Sequence, residues 1–271
     1  FGSQAILSVP DLDRTSYLLV LGANPVVSNG SVMTAPDCKR RLNELRARGG
    51  KLVVVDPRRS ESAEIADEHH FIRPGTDALL LAAMIRTIFD EGLAAPGRLS
   101  SFVDGLEVVR DRLAPFTPER VASLVGIDAD AIRKLARDFA RAPSAACYGR
   151  MGTCTQSFGA LTSWLIDVLN VATGNLDREG GMMFAQPAID LPGLAAALGQ
   201  TGHFAQHRSR VRGLPEFNGE LPVSCFAEEI ETEGEGRIRA LITHAGNPVL
   251  SIPNGRRLDR ALPKLDAMIA I

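Results

Sequence analysis

The sequence lacks the features that mark several classes of protein. Its four cysteines include no Cys-x-x-Cys pair, which argues against a zinc site and a thiol redox motif. Aromatic residues make up only 5% of the chain and the formal net charge is -2, so we expect no binding to nucleic acid or to an anionic membrane surface. The longest apolar run, 78–85, is too short to cross a bilayer, and we predict no transmembrane segment.

The start of the sequence has neither a Met nor a charged and apolar leader, and we expect the chain to be a segment of a longer protein. Scattered thiols are typical of a reducing compartment, so a cytoplasmic location is the expectation. The 271 residues, of which 45% are apolar, provide enough chain for one large folded domain or two ordinary ones.

One short stretch occurs twice. The chain reads LGANPVVS at 21–28 and HAGNPVLS at 244–251, so that Asn, Pro, Val and Ser recur in register and a Gly lies close to the Asn in both copies. Such a repeat indicates binding of two similar ligands, or of two halves of one large ligand.

The pattern around the first copy predicts a strand–helix–strand unit. The runs 17–21 and 52–55 are continuously apolar, which is typical of strands buried in a parallel sheet. Between them, Thr34 is a suitable helix cap and Gly49 a suitable helix end. We therefore predict an α/β fold, with a Rossmann-like parallel sheet flanked by helices.

Periodicity along the rest of the chain predicts further helices and a second domain. Phe158, Leu161 and Leu165 have the spacing of one apolar helix face. A predicted strand at 238–243 leads into the second copy of the repeat, which indicates part of a second, related α/β domain. The first domain is predicted at 1–181, and linker loops with the truncated second domain at 182–271.

Loops after the predicted strands are the candidate ligand site, because open parallel sheets bind ligands at the carboxyl ends of their strands. Gly22 permits close approach to the backbone, and Asn24 can both donate and accept hydrogen bonds. Asp56 is placed to accept from two ribose hydroxyls. Arg58 or Arg59 can bind a phosphate.

A third loop completes this set. Gly75 and Asp77 form a helix-entry turn, where the carboxylate could accept from the N–H groups of a purine. Each residue also has an ordinary explanation, as a turn glycine, a strand end or a helix cap, so the prediction depends on the order of the three loops. No G-x-G-x-x-G sequence follows a strand, and the nicotinamide or flavin fingerprint is absent.

Other reactive residues predict no site. His203 and His207 have the spacing of a metal-binding helix face, but no third ligand is evident and chance spacing is the better interpretation. The basic run 207–212 could contact phosphates or acidic partners, but a solvated loop is the safer interpretation. Since no Ser–His–Asp or Cys–His arrangement can be argued, we predict no catalytic residue and no metal ligand in this chain.

An ordered series of motifs covers nearly the whole chain and reads LGANP, VVVDPRRSESAEIADEH, IRPGTDALLLAAM, GRMGTCTQSFGA, ATGNLDREGG and ITHAGNPVLS. The series resembles the molybdopterin oxidoreductases of the dimethyl sulfoxide reductase type, to which formate dehydrogenases and nitrate reductases belong. The resemblance implies the catalytic subunit of an oxidoreductase that transfers an oxygen atom or a hydride at molybdenum or tungsten. It also implies two molybdopterin guanine dinucleotides on one metal, one for each copy of the repeat.

The resemblance assigns cofactor contacts to five stretches of the chain: the two repeated turns, two loops that hold a guanosine, and a loop near the pterin that is one residue longer than the family pattern. The implied cofactor-binding residues are Gly22, Asn24, Asp56, Arg58, Gly75, Asp77, Met151, Gly152, Gln156, Gly246 and Asn247. These residues would hold and orient the cofactor, and we expect the segment alone to be inactive.

Other parts of such an enzyme are expected outside this chain. The resemblance places the metal-ligating Cys, selenocysteine, Ser or Asp before Phe1, together with the iron–sulfur domain that many members carry. It places a β-barrel domain after Ile271. A small-molecule substrate and an electron-transfer partner subunit are also implied. The Arg-Gly-Gln-Asn-Asn stretch of formate dehydrogenases has no match after Gly181, which weakens formate as the substrate.

Two alternatives remain open at this point. The middle domain of a thiamine-diphosphate enzyme has a similar α/β outline and sometimes holds an adenine dinucleotide, but it would not predict the repeated turn. A homologue that kept the fold and lost the metal would act only as a binding module. A molybdenum or tungsten signal in the intact protein, and its metal-ligating residue, would separate these alternatives from the enzyme.

Overall fold

The computed structural model describes residues 6–186, 188–199 and 202–271. These residues form two compact units. The first unit contains Leu7–Gln186, and the second contains Ile6 and the described residues that follow Gln186. The sequence predicts the boundary between the two domains after residue 181.

A parallel sheet of four strands lies at the centre of the first unit. The strands of this unit are β1 (Ser8–Pro10), β2 (Tyr17–Leu21), β3 (Lys51–Val55), β4 (Glu68–His70), β5 (Ala145–Gly149) and β6 (Met182–Phe184). The sheet has the order β4-β3-β2-β5, while β1 and β6 form a separate antiparallel pair. Because β3 and β5 both flank β2 in parallel, the loops after these three strands meet at one edge.

Helices cover both faces of this sheet. They are α1 (Pro25–Ser28), α2 (Cys38–Ala47), α3 (Glu61–Glu64), α4 (Asp77–Asp90), α5 (Leu106–Leu113), α6 (Pro118–Val125), α7 (Ala129–Arg141), α8 (Met151–Cys154) and α9 (Gly159–Ala172). Leu19 and Val53 pack with α4, α7 and α9 in one core cluster. Leu18 and Leu52 pack with α2 in the other. Strands covered on both faces need apolar residues at nearly every position, which explains the apolar runs of β2 and β3. The parallel sheet with helices on both faces confirms the predicted α/β fold.

Two local predictions are wrong. Helix α2 begins at Cys38, because Ser31–Met33 forms a 3-10 turn and both Thr34 and Asp37 adopt left-handed backbone conformations. The apolar face predicted for α9 is confirmed at Leu165, which is 2% exposed, but it is wrong at Phe158 and Leu161, which are 60% and 44% exposed. Packing against the sheet, rather than apolar spacing alone, decides which face of α9 is buried.

The second unit is smaller and has its own core. Its elements are α10 (Leu191–Ala197), β7 (Phe204–Arg208), β8 (Pro215–Phe217), α11 (Phe226–Glu231), β9 (Ala240–Thr243), α12 (Pro248–Ser251), α13 (Gly255–Ala261) and β10 (Ala267–Ala270). Ile230, Leu258 and Ala261 form the buried core. Strands β9 and β10 pair in parallel, and α12 and α13 lie between them in the sequence. This part of the chain therefore repeats the strand–helix–strand arrangement of β2 and β3 in the first unit.

The basic run of the second unit is not a free solvated loop. Arg210 pairs with Glu229 at 3.5 Å, and Arg212 donates to the carboxylate of Glu228. His207 lies in a strand rather than on a helix face, and His203 precedes that strand. Among the described residues, no group of three His, Cys, Asp or Glu is arranged to hold a metal ion. Within the same residues, no helix combines the length and the apolar character that a membrane crossing requires.

Candidate functional site

Gly22 and Gly152 bring the loops after β2 and β5 into backbone contact. The Gly152 N–H donates to the carbonyl oxygen of Gly22 at 2.9 Å. Gly22 has a left-handed φ of +53°, and a Cβ built on it would lie 2.9 Å from the Gly152 backbone. A Cβ on Gly152 would lie 2.7 Å from the Gly22 Cα. Any side chain at either position would therefore force the two loops apart.

Asn24 connects the loop after β2 to helix α3. Its Oδ1 atom accepts from Ser62 N–H at 3.2 Å and from Ser62 Oγ at 2.8 Å, while its Nδ2 atom donates to Glu61 Oε2 at 2.7 Å. The backbone N–H of Glu61 and the amide of Asn24 lower the pKa of the Glu61 carboxyl. Both polar atoms of the Asn24 side chain thus hold the loop in position.

Asp56 and Arg58 occupy the loop after β3. The backbone N–H of Arg58 donates to Asp56 Oδ1 at 2.8 Å and orients the carboxylate. The side chain of Arg58 is 66% exposed and lies 3.2 Å from Glu61 Oε2. The carboxylate predicted to accept from ribose hydroxyls is therefore fixed at the strand end, whereas the guanidinium predicted to bind phosphate is paired with an acid.

The third loop meets the loop after β5 through Asp77 and Gln156. Gln156 Nε2 donates to Asp77 Oδ2 at 2.8 Å and to the carbonyl oxygen of Gly152 at 2.9 Å. Gly75 makes the turn before Asp77 with a φ of +81°. Burial raises the pKa of the Asp77 carboxyl, and the carboxylate of Asp56 adds to the rise.

Gln156 also presents an unused acceptor. Its Oε1 atom is buried and has no hydrogen-bond partner in the described part of the chain. Buried polar atoms in folded proteins are nearly always paired, so this oxygen is suited to a donor from a ligand.

A groove of about 320 Å³ opens at this edge of the sheet. Residues from the loops after β2, β3 and β5 line it: Gly22, Ala23, Asn24, Val27, Ser28, Asp56, Arg150 and Met151. Four of the residues predicted in the first unit therefore line the groove: Gly22, Asn24, Asp56 and Met151. Four more lie together beside it: Gly75, Asp77, Gly152 and Gln156. Arg150 was not predicted from the sequence, where its one local signal is its position directly after the short run that forms β5.

The second copy of the repeat makes the same turn. Ala245 aligns with Gly22 in the repeat, and its left-handed φ of +55° is close to that of Gly22. The left-handed position of the second turn is therefore Ala245 and not Gly246. The Ala245 N–H donates to the carbonyl oxygen of Ile271 at 3.0 Å, just as the Gly22 N–H donates to that of Val55 at 3.1 Å. Asn247 is exposed, and its Oδ1 atom accepts from the N–H of Val249 at 3.0 Å.

Proteins of known function resemble this chain over most of its length. The assimilatory nitrate reductase catalytic subunit of Bacillus subtilis is 27% identical over 290 residues, which cover 100% of this chain and 39% of that protein. Formate dehydrogenase H of Escherichia coli is 33% identical over 171 residues, which cover 63% of this chain and 23% of that protein.

The solved structure of acetylene hydratase from Pelobacter acetylenicus has the same fold. It matches with a TM-score of 0.76 at 22% identity, over 98% of this chain and 40% of that one. This chain therefore spans about two fifths of the length of the relatives that it matches from end to end.

A family model confirms the resemblance that the motifs carry. The model of molybdopterin oxidoreductases matches residues 2–271. The chain belongs to the molybdopterin oxidoreductase family.

Proposed function

We propose that this chain is the cofactor-binding central portion of a molybdenum or tungsten oxidoreductase that carries two molybdopterin guanine dinucleotides. The observation that carries the proposal is the matched pair of turns. Gly22 and Ala245 each follow a parallel strand and have φ values of +53° and +55°. Each donates its N–H to a carbonyl oxygen at the end of the neighbouring strand, that of Val55 in β3 or of Ile271 directly after β10. An Asn-Pro pair follows both, so each unit would hold one dinucleotide tail.

The groove of the first unit fits the chemistry of a nucleotide. Asp56 is a carboxylate at a strand end and can accept from ribose hydroxyls. Asp77 and the unpartnered Oε1 of Gln156 are neighbouring acceptors, and guanine carries neighbouring N–H donors on its ring and amino nitrogens. Because Gly22 and Gly152 are in close contact, neither position has room for a side chain, and the groove is bordered there by backbone.

The cofactor, when bound, supplies two-electron chemistry by oxygen-atom or hydride transfer. The residues of this chain would bind and orient its tails, and we assign none of them an acid or base role. A small-molecule substrate, an electron-transfer partner subunit and an iron–sulfur cluster would engage other parts of the full-length protein. We propose that the isolated chain is inactive, since an isolated half-site offers only some of the contacts.

The family match argues against the thiamine-diphosphate alternative. A homologue without metal stays an alternative, because the fold likeness to acetylene hydratase concerns architecture alone. The name acetylene hydratase also shows that this fold occurs in proteins that are not named as reductases or dehydrogenases.

Analysis of the purified full-length protein tests the proposal. Metal content is measured by mass spectrometry, and nucleotides are released by acid hydrolysis and quantified. We expect one molybdenum or tungsten atom and two guanosine monophosphates per polypeptide. Metal-free protein, or protein that releases no guanosine monophosphate, would contradict the proposal and favour a non-catalytic homologue.

A further inference from the structure

Arg150 is a cation at the edge of the sheet. It directly follows β5 and lines the groove together with Asn24 and Asp56. Its Nε atom is buried and has no hydrogen-bond partner, and among the residues that the structure describes its side chain forms no ion pair. Since a buried N–H group without an acceptor is unfavourable, this Nε atom is suited to an acceptor from a ligand in the groove.

The backbone holds Arg150 at the point where the loops meet. Its N–H donates to the carbonyl oxygen of Leu21 at 3.3 Å, and its carbonyl oxygen accepts from the N–H and the hydroxyl of Thr153 at 2.8 and 2.7 Å. The residue therefore lies next to the Gly22–Gly152 contact, on the side of the groove that β5 contributes.

Arg58, the arginine that the sequence suggests for phosphate binding, differs in each of these respects. Its side chain is 66% exposed and pairs with Glu61, and it is not among the residues that line the groove. The side chain of Arg58 is already paired with a carboxylate, whereas no carboxylate among the described residues pairs with Arg150.

We infer that Arg150, and not Arg58, binds a phosphate of the nucleotide diphosphate in the first unit. The inference rests on the proposed function, which supplies the nucleotide tail. A guanidinium presents a planar set of donors that matches phosphate oxygens. The carboxylate of Asp56 repels phosphate and accepts from hydroxyls, so the two charges of the groove divide the ligand between ribose and diphosphate.

The test uses the full-length protein, prepared without cofactor in a host that does not make molybdopterin. Guanosine diphosphate and guanosine are titrated separately by isothermal titration calorimetry. We expect Arg150→Gln to weaken one guanosine diphosphate site by about tenfold or more and to leave guanosine binding unchanged. Arg150→Lys should retain part of the affinity, because it keeps the charge but not the planar donor set.

Two further variants serve as controls. Arg58→Gln should stay within about twofold of the wild type for both ligands, and Asp56→Asn should weaken both ligands at the same site. Raising the KCl concentration from about 50 mM to about 300 mM should weaken guanosine diphosphate binding in the wild type more than in Arg150→Gln. Circular dichroism checks that all variants remain folded.

The possible failures are distinct. If Arg150→Gln binds guanosine diphosphate as the wild type does, the role of Arg150 is wrong and the proposed function stands. If Arg58→Gln is the variant that selectively loses the diphosphate, the assignment of the two arginines is reversed and the inference is wrong. If the wild type binds neither ligand, the groove is not a nucleotide site, and the assignment of a nucleotide tail to it fails as well.

Discussion

The side-chain amide of Asn170 pairs with both backbone groups of Cys147. Its Oδ1 atom accepts from the Cys147 N–H, and its Nδ2 atom donates to the Cys147 carbonyl oxygen, each at 3.0 Å. Cys147 lies in β5, an edge strand of the four-stranded sheet, and Asn170 is fully buried in α9. The amide thus takes the place of a further strand and satisfies edge groups that water cannot reach.

Replacement of this amide should destabilise the first unit. Asn170→Leu has a similar volume but leaves the N–H and the carbonyl oxygen of Cys147 buried and unpaired. We expect the free energy of unfolding to fall by about 2–4 kcal/mol, measured by urea denaturation with circular dichroism.

Asn43→Leu is the matched control, because Asn43 is exposed on α2. Its unfolding free energy should stay within about 0.5 kcal/mol of the wild type. Similar losses in the two variants would show that the pairing of Asn170 with β5 contributes nothing specific.

The two inner strands could be predicted from the sequence, because a parallel strand covered on both faces must be apolar throughout. β2 carries this signal over five residues, and β3 carries it over the four residues that follow Lys51. The role of Asn170 carries no such signal. A polar residue in an apolar helix is ordinarily predicted to face solvent, and only the neighbouring edge strand makes its burial favourable.

The candidate site was predictable only in part, for a related reason. Loop order identified the strand ends that form it, since strands in parallel sheets share one carboxyl edge. The use of each side chain depends on partners distant in sequence. Asn24 binds Ser62 and Glu61, and the exposure of Arg150 to the groove depends on β5 lying beside β2. Spacing within one motif does not contain this information.

A methyl group at Gly152 should separate the two loops of the site. The Cβ of Gly152→Ala would lie 2.7 Å from the Gly22 Cα, so the backbone must move. We expect a loss of about 1–3 kcal/mol in unfolding free energy, together with lower cofactor content in the full-length protein. Urea denaturation and metal analysis measure the two effects.

Gly246→Ala provides the contrast, in the second copy of the repeat. A Cβ there would meet only the His244 carbonyl oxygen, at 3.9 Å, which is an ordinary contact. Its unfolding free energy should remain within about 0.5 kcal/mol of the wild type. A Gly152→Ala protein as stable as this control would mean that the loops tolerate separation.

Asp167 should make stability depend on pH. Burial raises the pKa of its carboxyl to about 6 in the folded protein, above the value of about 3.9 in an unfolded chain. The folded state therefore binds the proton more tightly, and the resulting stabilisation is complete below about pH 4 and lost as the pH rises through 6.

Asp167→Asn removes this dependence, because asparagine does not ionise. We expect the variant to be more stable than the wild type by about 1–2 kcal/mol at pH 8, with a smaller difference at pH 4. Asp104→Asn, at an exposed position, should show no comparable change between these pH values. A constant difference between Asp167→Asn and the wild type across this range would contradict the assigned pKa.

Ala245 holds a conformation that its equivalent, Gly22, adopts without steric cost. A left-handed backbone costs an L-residue roughly 1–2 kcal/mol, whereas glycine loses somewhat more entropy on folding, about 0.5–1 kcal/mol. Ala245→Gly should therefore raise the unfolding free energy of the second unit by about 0.5–1 kcal/mol in urea denaturation.

Ala160→Gly, on the exposed face of α9, should instead lower stability by about 1 kcal/mol, as glycine ordinarily does in a helix. If both substitutions destabilise equally, the turn at Ala245 is not left-handed in solution, and the equivalence of the two turns is lost.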